Sequence, residues 1–217
     1  MGLVDIGVFK GLRSLRASAA KFKCSPQGVD DNLMFAQTGG LVFADPGSSL
    51  VDHAWTCRCC GRQFNTLPLD VAYKGPDHWF DIPESEQQVR RKLDDDLCVI
   101  DKDMFVRGCL EIPVIGRDDR FVWGLWVSVS EESFMRILEL WNASAVEQEP
   151  PKFGWLCNNI SLYPSTMSLK TNLRLRSGGA RPSIELEPTD HPLAIEQRHG
   201  ISIERVEEIA AALSLRH

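Results

Sequence analysis

Phe121-Val122-Trp123-Gly124-Leu125-Trp126-Val127-Ser128 is the stretch on which the fold turns. Side chains alternate between the two faces of a strand. Phe121, Trp123, Leu125 and Val127 therefore share one face, and Val122, Gly124, Trp126 and Ser128 share the other. Tryptophan on both faces predicts a central strand covered on both sides. A helix is predicted immediately after it. Ser130 is placed as its N-cap, and Val129 with Phe134 forms a hydrophobic staple. Phe134, Ile137, Leu138 and Trp141 recur at helical spacing as one buried stripe, with the helix expected to stop near Ala143.

Working upstream, Gly116-Arg117-Asp118-Asp119 reads as a turn and residues 109–115 as a strand, with Pro113 marking an edge or bulge. Residues 97–100 and 104–107 predict a hairpin around the three-residue loop Asp101-Lys102-Asp103. Pro83 opens a short helix expected to reach about Leu93. Glu84 and Glu86 suit the positive end of its dipole, and Arg90, Arg91 and Lys92 the negative end.

Downstream, strands are expected at residues 153–156, 169–176 and 183–187. The second alternates Leu169, Thr171, Leu173 and Leu175 against Lys170, Asn172, Arg174 and Arg176, which is a half-exposed strand with a basic outer face. Thr189 or Asp190 is expected to cap a helix with Pro192 in its first turn and Gly200 past its end. Ser202 caps the last helix, whose buried face is Ile203, Val206, Ile209, Ala210 and Leu213. Together these elements predict an α+β fold: a mixed or mainly antiparallel sheet with packed helices. Residues 51–217 read as a single α+β domain. Residues 1–50, punctuated by glycine, proline and serine, read as a weakly ordered N-terminal extension that admits a helix at residues 9–22.

The chain has 217 residues, 43% apolar and 25% charged, which is enough core to fold without disulfides or metal. No apolar run approaches the roughly 20 residues of a membrane span. Net charge is −6 and unevenly spread. Residues 1–24 carry Lys10, Arg13, Arg16, Lys21 and Lys23 against Asp5, a balance of +4 that leaves −10 for the remainder. An acidic body argues against nucleic acid and suits a soluble protein or one that meets a basic partner. Seven cysteines do not suit a disulfide framework, and nothing at the start has the form of a secretory signal, so reduced thiols in a cytoplasm are expected.

Cys57-x-x-Cys60-Gly61 has the spacing of a zinc knuckle, in which a tight turn aims two thiolates at one ion. A second such pair is absent, and His53, four residues before Cys57, is the best third ligand. The same pair also has the spacing of a redox dithiol, but an extended segment with Pro68 follows where a helix would be needed. Cys98 and Cys109 sit in apolar strands, where cysteine is commonly a small buried hydrophobe; a nucleophilic cysteine paired with His191 is the functional alternative. Asp190 and His191 follow Glu185 and Glu187 near a helix start, so acid–base chemistry or cation binding stands beside simple capping. Arg107 and Glu111 are four apart on one strand and share a face, as a structural pair or the lining of a cleft. Trp123, Trp126 and Trp155 suit a core, and an exposed subset would be an interaction surface. No phosphate loop, dinucleotide fingerprint, nucleophile elbow or His-Glu-x-x-His occurs.

Several stretches resemble a known family. They are Cys57-Arg58-Cys59-Cys60-Gly61, Leu67-Pro68-Leu69, Asp96-Leu97-Cys98-Val99-Ile100 and Arg107-Gly108-Cys109-Leu110-Glu111-Ile112-Pro113-Val114. Trp123-Gly124-Leu125-Trp126-Val127-Ser128, Phe153-Gly154-Trp155-Leu156 and Glu185-Leu186-Glu187-Pro188-Thr189-Asp190-His191-Pro192-Leu193 complete the set. From about Trp55 to Leu213 the chain resembles a bacterial family known only as a domain of unknown function. The resemblance implies a small bacterial cytosolic protein and no particular reaction. Similar proteins often carry a histidine just past the knuckle, where this chain has Arg62-Gln63-Phe64-Asn65. Three functions remain open: a non-catalytic binding or regulatory protein of immunity or antitoxin type, a small zinc-binding protein built on Cys57 and Cys60, or an enzyme whose cleft gathers Arg107, Glu111, Asp190 and His191.

Overall fold

The computed structural model describes residues 41–43, 50–58, 61–83, 85–86, 90–146 and 148–214. In it, β8 (Arg120–Val129) is bonded along both edges. β7 (Asp103–Pro113) runs antiparallel along one edge, from Met104↔Val129 to Pro113↔Arg120. The other edge takes β4 (Asp70–Tyr73), parallel, at residues 122–124, and β9 (Lys152–Leu156), antiparallel, at residues 127–129. β10 (Lys170–Arg174) pairs with β9 and β11 (Ser183–Leu186) with β10, and β11 returns to β7 through the parallel pair Ser183↔Cys109. The pairing β7-β8-β9-β10-β11 thus closes on itself. β6 (Leu97–Ile100) and β5 (Arg91–Leu93) extend from β7, and β1 (Leu41–Phe43) extends from β4. β2 (Leu50–Thr56) and β3 (Gln63–Pro68) form a separate two-stranded sheet with a bulge between Asp52 and Trp55. The mixed, mainly antiparallel sheet of an α+β fold is what the alternation predicted.

The register assigns one face of the ring to Val106, Leu110, Ile112, Phe121, Trp123, Leu125, Val127, Leu156, Leu173 and Ile184, and every one of them is buried. A closed ring cannot expose its inner side chains, so this is the interior. The outer face carries Phe105, Arg107, Glu111 and Trp126 on β7 and β8, and Phe153, Trp155, Lys170, Asn172, Arg174 and Glu185 on β9 to β11. Glycine stands where elements crowd. A Cβ on Gly154 would lie 2.3 Å from Val127 Cγ1 and 2.5 Å from the Ser128 carbonyl oxygen.

Four helices are described with the sheet: α1 (Asp77–Phe80), α2 (Glu131–Leu140), α3 (Pro192–His199) and α4 (Ile203–Ser214). α2 begins as expected, with Ser130 Oγ accepting from the Ser133 N–H, and buries Phe134 and Ile137; it ends at Leu140, capped by Trp141. Ser202 Oγ accepts from the Arg205 N–H at the start of α4, and Val206, Ile209, Ala210 and Leu213 are buried. α2 and α3 lie against β7, and α4 against β3. No helix among the described residues is long and apolar enough to cross a membrane.

Three local expectations are corrected. Ile100 pairs with Asp103, so the hairpin loop has two residues, and Asp101 takes the positive φ (52°) that such tight turns favour. Residues 85, 86 and 90 are helical, but Arg91–Leu93 is a strand, because pairing with β6 competes successfully for that segment. His191, not Thr189 or Asp190, caps α3: its Nδ1 accepts from the Leu193 N–H at 3.2 Å. β1, within residues 1–50, pairs antiparallel with β4 from Leu41↔Tyr73 to Phe43↔Val71. The helix expected at residues 9–22 falls outside the described residues.

Candidate functional site

Asn158 is fully buried and joins three segments. Its Oδ1 accepts from the Trp126 N–H at 2.8 Å, and its Nδ2 donates to the Gly75 carbonyl at 2.9 Å and to Asp77 Oδ1 at 3.1 Å. The other oxygen of Asp77 accepts from the Asn159 N–H at 2.9 Å. Thr166 Oγ1 donates to the Asn158 carbonyl at 2.6 Å and accepts from the Ile160 N–H at 2.8 Å. This network fixes α1 and residues 157–168 against the edge of β8 between its pairings with β4 and β9, since each buried polar group there would otherwise go unpaired.

Between α1 and β9 the arrangement leaves an open cavity of about 410 Å³, lined by His78, Asp103, Phe105, Ser128, Trp155, Cys157 and Ser168. Asp103, Phe105, Ser128 and Trp155 reach it from three adjacent strands on the outer face. His78 comes from α1, with its ring 5.8 Å from that of Phe105. Ser168 holds a positive φ of 61°, which a residue other than glycine seldom adopts outside constrained or functional positions. Trp155 is 42% exposed and Phe153 is 50% exposed; the two rings meet edge to face at 5.2 Å. The exposed outer strands continue the surface with paired charges: Lys170 with Glu187 at 3.4 Å and Arg174 with Glu185 at 2.7 Å.

Cys157, His78 and Asp103 are the residue types of a thiol hydrolase, but the thiol is poorly suited to that role. Cys157 is almost wholly buried and lies 3.2 Å from the Trp155 carbonyl, to which it donates. Burial, with the Asp77 and Asp103 carboxylates, pushes its pKa up, so at neutral pH it is a thiol and not the nucleophilic thiolate. Cys109 behaves in the same way: burial raises it despite three nearby arginines.

The residues singled out in the sequence do not converge. Arg107 is buried on the outer face and donates to the Asp95 carbonyl at 3.1 Å. Glu111, on that same face as its spacing requires, pairs with Arg176 and lies 3.7 Å from Arg120. Asp190 and His191 stand elsewhere, at the start of α3. The His191 Nε2 lies 3.2 Å from the Pro164 carbonyl, and its ring is 6.5 Å from Tyr163, which packs against the interior Trp123. A cleft made of those four residues is therefore not formed. Trp123 and Trp126 are fully buried and contribute nothing to a surface; Trp155 is the tryptophan of that set left exposed. The sequence reading missed His78, Asp103, Ser128, Cys157 and Ser168, whose only common signal is adjacency across strands and loops far apart in the chain.

At the knuckle, the turn has the expected form. Gly61 has φ 70°, its N–H donates to the Cys57 carbonyl at 2.8 Å, and the Cys57 N–H donates to the Arg62 carbonyl at 2.8 Å. Cys57 is buried in the core cluster, and Cys60 lies outside the described residues. The His53 Nε2 is 2.8 Å from Glu207 of α4. Among the described residues no three His, Cys, Asp or Glu side chains are grouped to hold a metal ion.

Comparison with curated proteins and with solved structures finds no match. Residues 56–201, which span β3 to the end of α3 and the whole of the cavity, match one family, and the chain belongs to it: the uncharacterised proteins conserved in bacteria, DUF2199.

Proposed function

We propose that this is a non-catalytic binding or regulatory protein of the cytoplasm, of immunity type, that docks another protein on the outer face of β9, β10 and β11. The observation that carries the reading is the exposed Phe153–Trp155 pair. Each such side chain buries roughly 150–250 Å² when covered. With about half of each in water, a partner would remove roughly 180 Å² of apolar surface, worth about 4–5 kcal/mol at ~25 cal/mol/Å². Aromatic anchors set among mutually neutralised charges match the anatomy of protein interfaces, with a hot spot inside a polar rim. The paired acids and bases offer no basic stripe for a nucleic acid backbone. The protonated Cys157 thiol favours binding over nucleophilic chemistry, and the free cysteines suit a reducing compartment.

The test compares tagged wild-type protein with Phe153→Ala/Trp155→Ala as bait in bacterial lysate. Partners held by the wild type should be lost by the variant, with its unfolding curve little changed. Identical retention by both baits, or substrate turnover abolished by Cys157→Ser, would sink the reading.

The knuckle turn supports a second reading of its own, a zinc ion held by Cys57 and Cys60, because the two hydrogen bonds and the positive φ of Gly61 are what such a turn needs. Metal content decides it.

A further inference from the structure

We propose that the cavity beneath Trp155 receives a cationic side chain, an arginine or lysine, of the protein that docks on the outer face. The inference rests on the docking reading above and names what the partner must present.

Charge is the first argument. On this face Glu111 pairs with Arg176, Glu185 with Arg174 and Glu187 with Lys170. Asp103 opens on the cavity and has no ion pair with any described residue. Among the described residues no lysine or arginine lines the cavity. Ser128 and Ser168 add hydroxyl oxygens that accept from an ammonium or guanidinium.

Shape is the second argument. Trp155 offers an exposed indole on one wall and Phe105 a buried ring on another. Cations are drawn to such ring faces, arginine most often. A carboxylate and an indole lining the same cavity suit a guanidinium, the one as partner for its N–H groups and the other for its plane. A volume of about 410 Å³ accommodates one long side chain and lies within the range of ordinary ligand pockets. The acidic balance of residues 25–217 draws a basic partner to this protein in the first place.

The experiment follows the Trp155 indole N–H cross-peak by ¹H–¹⁵N NMR, assigned by its loss in Trp155→Phe. The probes are N-acetyl-arginine amide, N-acetyl-lysine amide and the uncharged isostere N-acetyl-citrulline amide. Arginine amide should give a saturable shift, with citrulline amide binding weaker by about tenfold or more, the lower end for one hydrogen bond to a charged group. Asp103→Asn should weaken arginine amide by about tenfold while leaving citrulline amide unchanged. Equal binding of arginine and citrulline, an unaltered arginine affinity in Asp103→Asn, or no saturable shift with either cation would overturn the proposal. Should one of those results arise while Phe153→Ala/Trp155→Ala still loses its lysate partners, the docking face stands and the cation pocket alone falls. If the partners are also retained, both fall.

Discussion

Asn158→Ala removes the side chain on which the cavity hangs. Two of its three partners are themselves buried, the Trp126 N–H and the Gly75 carbonyl. The third, Asp77, keeps the Asn159 N–H and is half-exposed, so water replaces what it loses. An orphaned buried donor or acceptor costs roughly 1–3 kcal/mol, which puts the substitution at about 2–6 kcal/mol, centred near 4. That is a large share of the ~5–15 kcal/mol by which a domain is stable. Urea unfolding followed by tryptophan fluorescence should show a midpoint displaced to much lower urea at constant slope. Exchange of the Trp126 amide should be the most accelerated of those in β8, because that N–H loses its acceptor. A loss below about 1 kcal/mol, or an unchanged Trp126 amide, would mean that water or a shifted loop satisfies these groups and that Asn158 does not hold α1 in place.

Three further outcomes are expected. Thr171 Oγ1 is buried with no hydrogen-bond partner among the described residues, so Thr171→Val should leave stability unchanged or raise it by about 1 kcal/mol in the same urea assay; a loss of that size would reveal a partner for the hydroxyl. Glu149 ties α2 to β9 by accepting from Arg136 at 2.9 Å and 3.0 Å and from Lys152 at 2.7 Å, and these bonds hold its carboxyl at about 2, below the ordinary 4.5. A depressed carboxyl stabilises the fold above its unfolded pKa and loses that contribution as pH falls. Wild type should therefore lose its advantage over Glu149→Gln between pH 4.5 and about 2, and curves that stay parallel through that window would contradict the assignment. Mass spectrometry of untagged protein should find about one zinc per chain, absent from Cys57→Ser/Cys60→Ser, if the knuckle is a metal site; no metal in either protein removes that reading.

The alternation of residues 121–128 was enough to predict a central strand, because period-two patterning is local and tryptophan on both faces admits only a covered position. The caps at Ser130 and Ser202 and the buried stripe of α2 were legible for the same reason: each depends on neighbours within one or two turns. The shared face of Arg107 and Glu111 also follows from strand geometry alone. Residues 91–93 show the limit. Their charge suited a helix end, and only pairing with β6 made them a strand. The capping of α3 by His191 was lost among three adjacent polar residues, because backbone dihedrals select between them and composition does not. Strand closure lay further out of reach. The parallel pairs β4–β8 and β11–β7 join segments about 50 and 75 residues apart, and no local pattern encodes such a register. Closure decided which face became interior and so buried Trp123; Trp126, on the outer face, is buried with its indole N–H donating to the Tyr73 carbonyl, while Trp155 stays in water. It also separated Arg107 and Glu111 from Asp190 and His191, and brought His78, Asp103, Ser128 and Ser168 together. The sequence by itself determined the elements and the faces they present, since those depend on neighbouring residues. Tertiary structure alone decided which faces meet and where a cavity opens, since those depend on distances that chain closure creates.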